Sequence, residues 1–405
     1  MKNLNYKISG FVFALFIINS SFLIPNCLCQ WVQESNGMGD RHVSSLAFSG
    51  NNIFAGADNF NGVYLSTNDG TSWTQTSLNN RNVNALAVNG NNIFAGTFLN
   101  GIYLSTNNGT TWTQTSFGNL SVYSMAVNVN YIFAGSYGSG VYLSINNGTT
   151  WTQTSLNDKY VYSLAVNGSD IFAGVFSYGV YKSTNNGTTW TQTSLNNQTV
   201  YSLAVNGNNI FAGTGAAGLR LSTNNGTTWT QTFLNNQNVN ALSVNGNNIF
   251  AGTSSFGVYV SNNNGASWTQ RNEGLGNLSV DALCIVNNYI FAGTSGNSVY
   301  RRPLSDLIGI KPISSEVPQS FSLSQNYPNP FNPTTKIRFA LPNSSFAKIV
   351  VYDALGRELE KIVSEQINAG TYEVEFDGSK LSSGVYFYKL VTSEFSETKK
   401  MILTK

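Results

Sequence analysis

Few side chains suited to catalysis occur in the first 304 residues of this 405-residue sequence. Its single histidine, His42, has no second histidine or thiol at a spacing that could hold a metal, so we predict a solvated loop residue. Asp58, Asp170 and Asp281 could supply the opposed carboxylates of a hydrolase, but nothing in their spacing pairs them. We therefore expect no catalytic residue, no metal and no cofactor.

Aromatic and amide side chains are stronger candidates, because they vary at equivalent positions of a repeat of about 39 residues. One set lies in the predicted loops between the second and third strands of the repeat: Phe60, Phe98, Tyr137, Phe176, Tyr178 and Phe256. The other lies one residue into the first strand: Asn84, Tyr123, Tyr162, Tyr201, Asn240 and Asp281. Rings beside amides suit stacking and hydrogen bonding, so we predict binding of a glycan or a protein partner here. The alternative is that the rings only shield the loops.

The repeat itself predicts the elements that position these side chains. Each unit reads as four short strands separated by turns rich in Asn and Gly, and no proline occurs between residues 31 and 302. A period near 40 with four strands per unit is typical of β-propeller blades. The period is marked by tryptophans, which we predict to be structural residues of the blade interfaces: Trp31, Trp73, Trp112, Trp151, Trp190, Trp229 and Trp268.

Strand counting predicts an all-β fold with seven blades. The first strand of each unit opens with a valine, at Val43, Val83, Val122, Val161, Val200, Val239 and Val280. The last unit has only three strands, whereas residues 31–34 match the fourth-strand pattern. We therefore expect the N-terminal strand to complete the seventh blade and close the ring, which removes two exposed sheet edges. An open solenoid is the alternative.

The turn before each tryptophan carries a resemblance to a known repeat. Residues 66–73 read STNDGTSW, and the pattern recurs five times, at 105–112, 144–151, 183–190, 222–229 and 261–268. It resembles the Asp-box, or bacterial neuraminidase repeat, Ser-x-Asp-x-Gly-x-x-Trp, except that asparagine takes the place of the aspartate. An amide can still accept a backbone hydrogen bond in the turn, but a carboxylate for metal or catalysis is absent.

The same resemblance raises the possibility of a sialidase-like enzyme. Such an enzyme would need three converging arginines and a Tyr-Glu pair, but the arginines fall at unmatched positions and Glu34 and Glu273 are the only glutamates in the repeats. We therefore predict that the protein is not an enzyme. A glycoside hydrolase of sialidase-like propeller architecture is the alternative.

The two ends of the chain differ from the repeats. Residues 1–29 combine a charged start, an apolar run and small residues before position 30, which is typical of a secretory signal peptide. We assign residues 30–304 to the propeller and the proline- and serine-containing segment 305–319 to a linker. Alternating apolar residues beyond it indicate a small immunoglobulin-like β-sandwich over residues 320–405.

This last segment resembles the C-terminal sorting domain of type IX secretion. The resemblance rests on YPNPFNP at 327–333, VYDALGR at 351–357, LSSGVY at 381–386 and KKM at 399–401. It implies that residues 320–405 are recognised by an outer-membrane translocon, so we expect a protein secreted through the periplasm to the outer surface or beyond. A carbohydrate-binding or fibronectin-like sandwich is the alternative.

Composition supports an extracellular protein. Only 10% of the residues are charged, the formal net charge is +2, and no basic patch indicates a nucleic-acid partner. Once the signal peptide is removed we expect no transmembrane segment. Cys284 would then be the only cysteine, and its apolar strand pattern predicts core packing.

Overall fold

The computed structural model describes residues 30–314, 316–367 and 369–405. The predicted signal peptide lies outside these residues. The repeats form seven four-stranded antiparallel sheets, and the C-terminal region forms two further four-stranded sheets. The predicted propeller and sandwich are confirmed.

The strands of the first four blades follow the predicted repeat closely. After β1 (Val32–Gln33), blade 1 contains β2 (Val43–Ser49), β3 (Asn52–Ala57), β4 (Gly62–Ser66) and β5 (Thr74–Gln75). Blade 2 contains β6 (Val83–Asn89), β7 (Asn92–Thr97), β8 (Ile102–Ser105) and β9 (Thr113–Gln114). Blade 3 contains β10 (Val122–Asn128), β11 (Tyr131–Ser136), β12 (Val141–Ser144) and β13 (Thr152–Gln153). Blade 4 contains β14 (Val161–Asn167), β15 (Asp170–Val175), β16 (Gly179–Ser183) and β17 (Thr191–Gln192).

The remaining blades have the same order. Blade 5 contains β18 (Val200–Asn206), β19 (Asn209–Thr214), β20 (Gly218–Ser222) and β21 (Thr230–Gln231). Blade 6 contains β22 (Val239–Asn245), β23 (Asn248–Thr253), β24 (Val258–Ser261) and β25 (Thr269–Gln270). Blade 7 contains β26 (Val280–Val286), β27 (Tyr289–Thr294) and β28 (Val299–Pro303). Residues from the first strand of every blade line a central channel.

The N-terminal strand closes the ring, as predicted. β1 pairs antiparallel with β28, which gives the last sheet the order β1-β28-β27-β26. Trp31 is fully buried, and its indole Nε1 donates to the carbonyl oxygen of Arg271 at 2.7 Å. Glu34 forms an ion pair with Arg301 of β28 at 2.7 Å. One strand from the start of the chain therefore joins the last blade to the rest of the molecule.

The repeat turns hold neighbouring blades together. In blade 3, the hydroxyl of Ser144 accepts from the Gly148 amide at 2.9 Å, and Asn146 Oδ1 accepts from the Thr150 amide at 2.9 Å. Gly148 has φ of +78°, and a Cβ there would lie 2.6 Å from the ring of Phe94 in the preceding blade. Only glycine satisfies both demands. The corresponding phenylalanine is fully buried in every blade: Phe54, Phe94, Phe133, Phe172, Phe211, Phe250 and Phe291.

The tryptophans contribute unequally to this packing. Trp31 and Trp73 are fully buried, whereas the other five are half-buried and pack at the edge of the interfaces. The indole of Trp151, for example, donates to the Gly148 carbonyl within its own turn at 3.1 Å. The phenylalanines, rather than the tryptophans, therefore fill the centre of most blade interfaces.

The predicted linker 305–319 needs correction, because much of it is ordered. Blade 7 lacks a repeat turn, and a short helix, α1 (Ser305–Ile308), follows β28 instead. Leu304 and Leu307 lie in the same buried cluster as Phe250, the phenylalanine that has no glycine turn against it. β29 (Ile310–Ser314) then pairs with a strand of the sandwich. Apolar residues spaced between the prolines allow this segment to pack.

The C-terminal domain is a sandwich of two sheets. The first has the order β29-β34-β31-β30, with β30 (Ser322–Leu323), β31 (Thr334–Leu341) and β34 (Gly370–Asp377). The second has the order β33-β32-β35-β36, with β32 (Ser345–Tyr352), β33 (Glu358–Ile367), β35 (Gly384–Val391) and β36 (Ser396–Leu403). The inward residues of both sheets share one buried cluster.

Candidate functional site

The loops between second and third strands and the connections between blades lie on one side of the ring, which we call the mouth face. The repeat turns lie on the opposite side, the turn face. The first strand of every blade has a β-bulge near its mouth-face end. In blade 3 the register shifts between Val122 and Ser124, so that Tyr123 has no partner residue on the neighbouring strand. Such a bulge re-aims the extra side chain. The bulged residues are Ser44, Asn84, Tyr123, Tyr162, Tyr201, Asn240 and Asp281.

Aromatic rings from blades 3 to 5 form one connected group, which we call the aromatic arc. Its members are Tyr123, Tyr137, Tyr160, Tyr162, Phe176 and Tyr201. Tyr123 stacks on Tyr137 with ring centroids 5.3 Å apart, and Tyr162 lies edge-on to Tyr123 at 5.6 Å. About half of the Tyr137 surface stays exposed at 50%, so the rings support one another and still face solvent.

A polar cluster occupies the other half of the mouth, where blades 6, 7 and 1 meet. His42 Nδ1 lies 3.2 Å from Asp58, and His42 Nε2 lies 3.0 Å from Asp281. Asn240 donates to the other oxygen of Asp281 at 2.9 Å, and the Ser295 hydroxyl donates to the same carboxylate. The prediction of a solvated loop for His42 is therefore wrong. The residue before each opening valine lies where the loops of two blades converge, so His42 meets carboxylates from blades 1 and 7.

These contacts fix the charge of the cluster. Hydrogen bonds that the His42 ring donates to Asp281 and Asp58 raise the pKa of His42 to about 9, against the opposing effect of burial. Burial alone would raise the pKa of Asp281, but the hydrogen bonds from His42, Ser295 and Asn240 outweigh it and hold that pKa below its usual range. His42 is therefore an imidazolium at neutral pH, bound between two carboxylates.

A pocket of about 430 Å³ lies between the polar cluster and the nearest rings. Its lining residues are His42, Ser44, Asp58, Asn82, Asn84, Phe98, Tyr123 and Asp281. The structure thus brings four predicted binding residues, Asn84, Phe98, Tyr123 and Asp281, to one cavity. Its volume is that of a small-ligand site.

Other predicted residues lie around this centre. Tyr178 lies beneath the Lys159 ammonium, which is 4.2 Å from its ring centroid. Phe60 and Phe256 are exposed on the mouth face, and within the described part of the chain neither ring contacts another ring. Asp170 lies apart, at the start of β15 near the turn face, where it pairs with Lys182 at 2.8 Å.

Four members of the site were not predicted as binding residues: His42, Asp58, Tyr160 and Ser295. His42 was predicted only as a loop residue, and Asp58 was a candidate only for a hydrolase. Two repeat positions would have revealed them. His42 and Tyr160 each precede an opening valine, whereas Asp58 and Ser295 each begin the loop after a second strand. Phe98, Tyr137 and Phe176 occupy the same repeat position as Asp58 and Ser295, so this position indicates the whole set only when its polar residues are taken together with its aromatic ones.

Cys284 packs in the interior as predicted, where burial raises the pKa of its thiol to about 12. Among the described residues no group of histidine, cysteine and carboxylate side chains could hold a metal ion. None of the helices within the described ranges is both long and apolar enough to cross a membrane.

The C-terminal region matches a known family model, the secretion system C-terminal sorting domain, over residues 325–404. None of the curated proteins matches the chain in sequence. The match shows that residues 325–404 form a type IX sorting domain and that the protein is secreted to the cell surface or outside.

Several solved structures share the fold. PorZ of Porphyromonas gingivalis, a surface component of the type IX secretion system, is 17% identical with a TM-score of 0.55, covering 91% of this chain and 60% of that one. A GH74 xyloglucanase from Xanthomonas campestris is 15% identical with a TM-score of 0.57, covering 77% and 59%. YCF48 from Cyanidioschyzon merolae is 12% identical with a TM-score of 0.55, covering 68% and 98%.

The present chain thus spans about 60% of the length of PorZ and of the xyloglucanase. At these identities the likeness shows the fold alone. Together with the sorting-domain match, it describes a β-propeller protein that is exported by type IX secretion and placed at the cell surface or outside the cell.

Proposed function

We propose that this protein is a non-catalytic surface or secreted binding protein, whose propeller takes up a glycan through the mouth face. The observation that carries the proposal is the aromatic arc. Its rings contact one another at centroid distances of 4.5 to 6.1 Å, and yet Tyr137 and Phe176 remain about half exposed at 50% and 44%. Rings held rigid with open faces provide stacking area for sugars at little entropic cost.

The polar cluster complements the arc. Hydrogen-bond acceptors and donors lie beside the rings in the same pocket, which is the combination that carbohydrates require because each sugar has apolar C–H faces and polar edges. On the turn face, the Ser and Asn side chains of the repeat turns already form hydrogen bonds with backbone amides of the same turn. Their resemblance to Asp-boxes therefore supports a structural role for them and leaves recognition to the mouth face.

A glycoside hydrolase is the second candidate, since the structure brings Asp58 and Asp281 into one pocket. A hydrolase of that kind needs one carboxylic acid that stays protonated. Here the imidazolium of His42 lies between both carboxylates, and the pKa of Asp281 is lowered. Both ring nitrogens of His42 face carboxylates, which leaves none to activate the Ser295 hydroxyl. These features favour binding over catalysis.

A glycan array probed with the mature protein tests the proposal. The informative variant is Tyr162→Ala, which removes the central ring of the arc. Loss of a well-packed aromatic contact costs on the order of 2 kcal/mol, so affinity for the bound glycan should fall about thirtyfold. Phe233→Ser is the matched control, because Phe233 is 83% exposed, belongs neither to the aromatic arc nor to the pocket lining, and is replaced by serine in other repeats.

The same glycans should be incubated with the protein and assayed for reducing ends. Binding that Tyr162→Ala weakens and Phe233→Ser does not, without release of reducing ends, supports the proposal. Turnover that Asp281→Ala abolishes would establish the hydrolase instead.

A further inference from the structure

The pocket between Phe98, Tyr123 and the polar cluster has an unbalanced charge. Among the residues that the structure describes, its charged lining residues are His42, Asp58 and Asp281, and no lysine or arginine lines it. One imidazolium and two carboxylates leave a net charge of about −1. The imidazolium cannot serve an incoming anion, because both of its nitrogens already face carboxylate oxygens at 3.2 and 3.0 Å.

The two carboxylates differ in what they can still accept. The Asp281 carboxylate already accepts hydrogen bonds from His42, Ser295 and Asn240. One oxygen of the Asp58 carboxylate accepts from His42. Within the described residues, no other group donates a hydrogen bond to the Asp58 side chain. About a third of the Asp58 side chain is exposed, at 31%. Asp58 therefore presents a partly desolvated carboxylate oxygen to whatever enters the pocket.

Two aromatic side chains share the pocket with Asp58. Phe98 and Tyr123 line the same cavity, and the Asp58 charge contributes to the raised pKa of Tyr123, after burial and the charge interaction with Tyr137. The charge and the rings are thus close enough to act on one ligand group. A cation gains from a carboxylate on one side and from the negative faces of aromatic rings on the other.

We propose that this pocket selects a sugar unit carrying a protonated amine, and that Asp58 determines the preference. The proposal rests on the proposed function and narrows it to a substrate class: glycans that contain free hexosamine units bind best, N-acetylated or neutral units bind more weakly, and uronic acids are excluded. Repulsion from a net negative pocket without a free cation accounts for the exclusion.

The test compares three matched oligosaccharides built on one backbone: glucosamine, N-acetylglucosamine and glucuronate. Affinities are measured by titration calorimetry on the mature protein at pH 6, where the amine is protonated. Wild-type protein should bind the glucosamine oligomer about tenfold more tightly than the N-acetylated one, as expected for one charge-assisted contact, and should not bind the glucuronate oligomer.

Asp58→Asn keeps the shape of the side chain and should abolish the preference for the amine. Asp69→Asn is the matched control: it removes the same charge on the turn face, where the other repeats carry asparagine, and should leave the preference unchanged. Thermal unfolding of both variants establishes that they remain folded.

The outcomes separate the two claims. Tight binding of glycans with no dependence on the amine, or a preference that survives in Asp58→Asn, overturns the inference and leaves the proposed function standing. Failure of every glycan to bind, or binding of a lysine-rich peptide in their place, overturns both.

Discussion

At the scale of single residues, His42 joins the two ends of the ring. It follows β1 in the chain and belongs to blade 1, but it contacts Asp281 in blade 7 as well as Asp58 in its own blade. The cluster that shapes the pocket therefore also lies across the closing junction of the propeller. A change in its protonation should alter both ligand binding and the stability of the ring.

This coupling predicts a pH dependence. The pKa of His42 is raised to about 9 in the folded protein, from an ordinary value of 6.5. Its contribution to stability is therefore complete below about pH 6.5 and is lost as the pH rises through 9. The lowered pKa of Asp281 adds a contribution that is lost only in acid. The melting temperature of His42→Gln should accordingly fall well below that of wild type at pH 6 and approach it at pH 10.

Thermal unfolding of both proteins between pH 5 and 10 measures this difference. Asp69→Asn serves as the control, since it changes a side chain on the turn face, where the other repeats carry asparagine. A gap between wild type and His42→Gln that stays constant with pH would mean that the imidazole is not charged in the folded protein.

At the scale of elements, β1 and the second strands of the blades, which contain the buried phenylalanines, contribute most to the stability of the ring. β1 contributes only two ladder residues, but it brings with it the buried Trp31, an ion pair from Glu34 and an indole hydrogen bond. The Trp73 indole also donates to the Glu34 carbonyl at 3.0 Å, so the segment is connected to blade 1 as well as to blade 7.

Removal of this segment should open the ring. Truncation of a fully buried tryptophan costs about 3–5 kcal/mol, and half-buried ones cost less. Trp31→Ala should therefore destabilise the protein by several kcal/mol more than Trp151→Ala, its half-buried counterpart, in chemical unfolding. Deletion of residues 30–35 should also produce oligomers in size-exclusion chromatography, because bare edges pair between molecules. Equal losses for the two alanine variants and a monomeric deletion variant would exclude closure by β1.

The sequence allowed prediction of most elements, because the repeat supplies seven copies of each strand and six of the repeat turn. Val43 and its counterparts marked the first strands, and the missing fourth strand of blade 7 indicated closure. The bulge after Val43 could not be predicted, since a register shift leaves no trace in an alternating pattern. Nor could α1, because it occurs once and replaces a repeat turn through contacts of Leu307 that exist only in the folded molecule.

Less of the site than of the fold could be predicted, because the pattern of one repeat does not show contacts between blades. Tyr123 and Tyr162 stand out as variants within a repeat, but their contact across two blades depends on the curvature of the ring. His42 and Asp281 are separated by 239 residues, and only closure brings them together. Contacts between the first and last blades have no counterpart in the pattern of a single repeat.

At the scale of the whole molecule, the proposed binding surface and the export domain lie in different parts of the chain. The sorting domain occupies the C-terminal end and matches its family over residues 325–404, while the mouth face lies on the propeller. Within the propeller the two faces are also divided, with repetitive turns on one side and variable side chains on the other. Such a division lets the mouth face change while the repeat turns preserve the fold.

Hydrogen–deuterium exchange of the mature protein with and without its bound glycan shows whether the mouth face is the binding surface. Exchange should slow on ligand addition in segments 98–101, 137–140 and 160–162, with no change in the repeat turns or in residues 320–405. Protection confined to the repeat turns or to the sandwich would contradict binding at the mouth face.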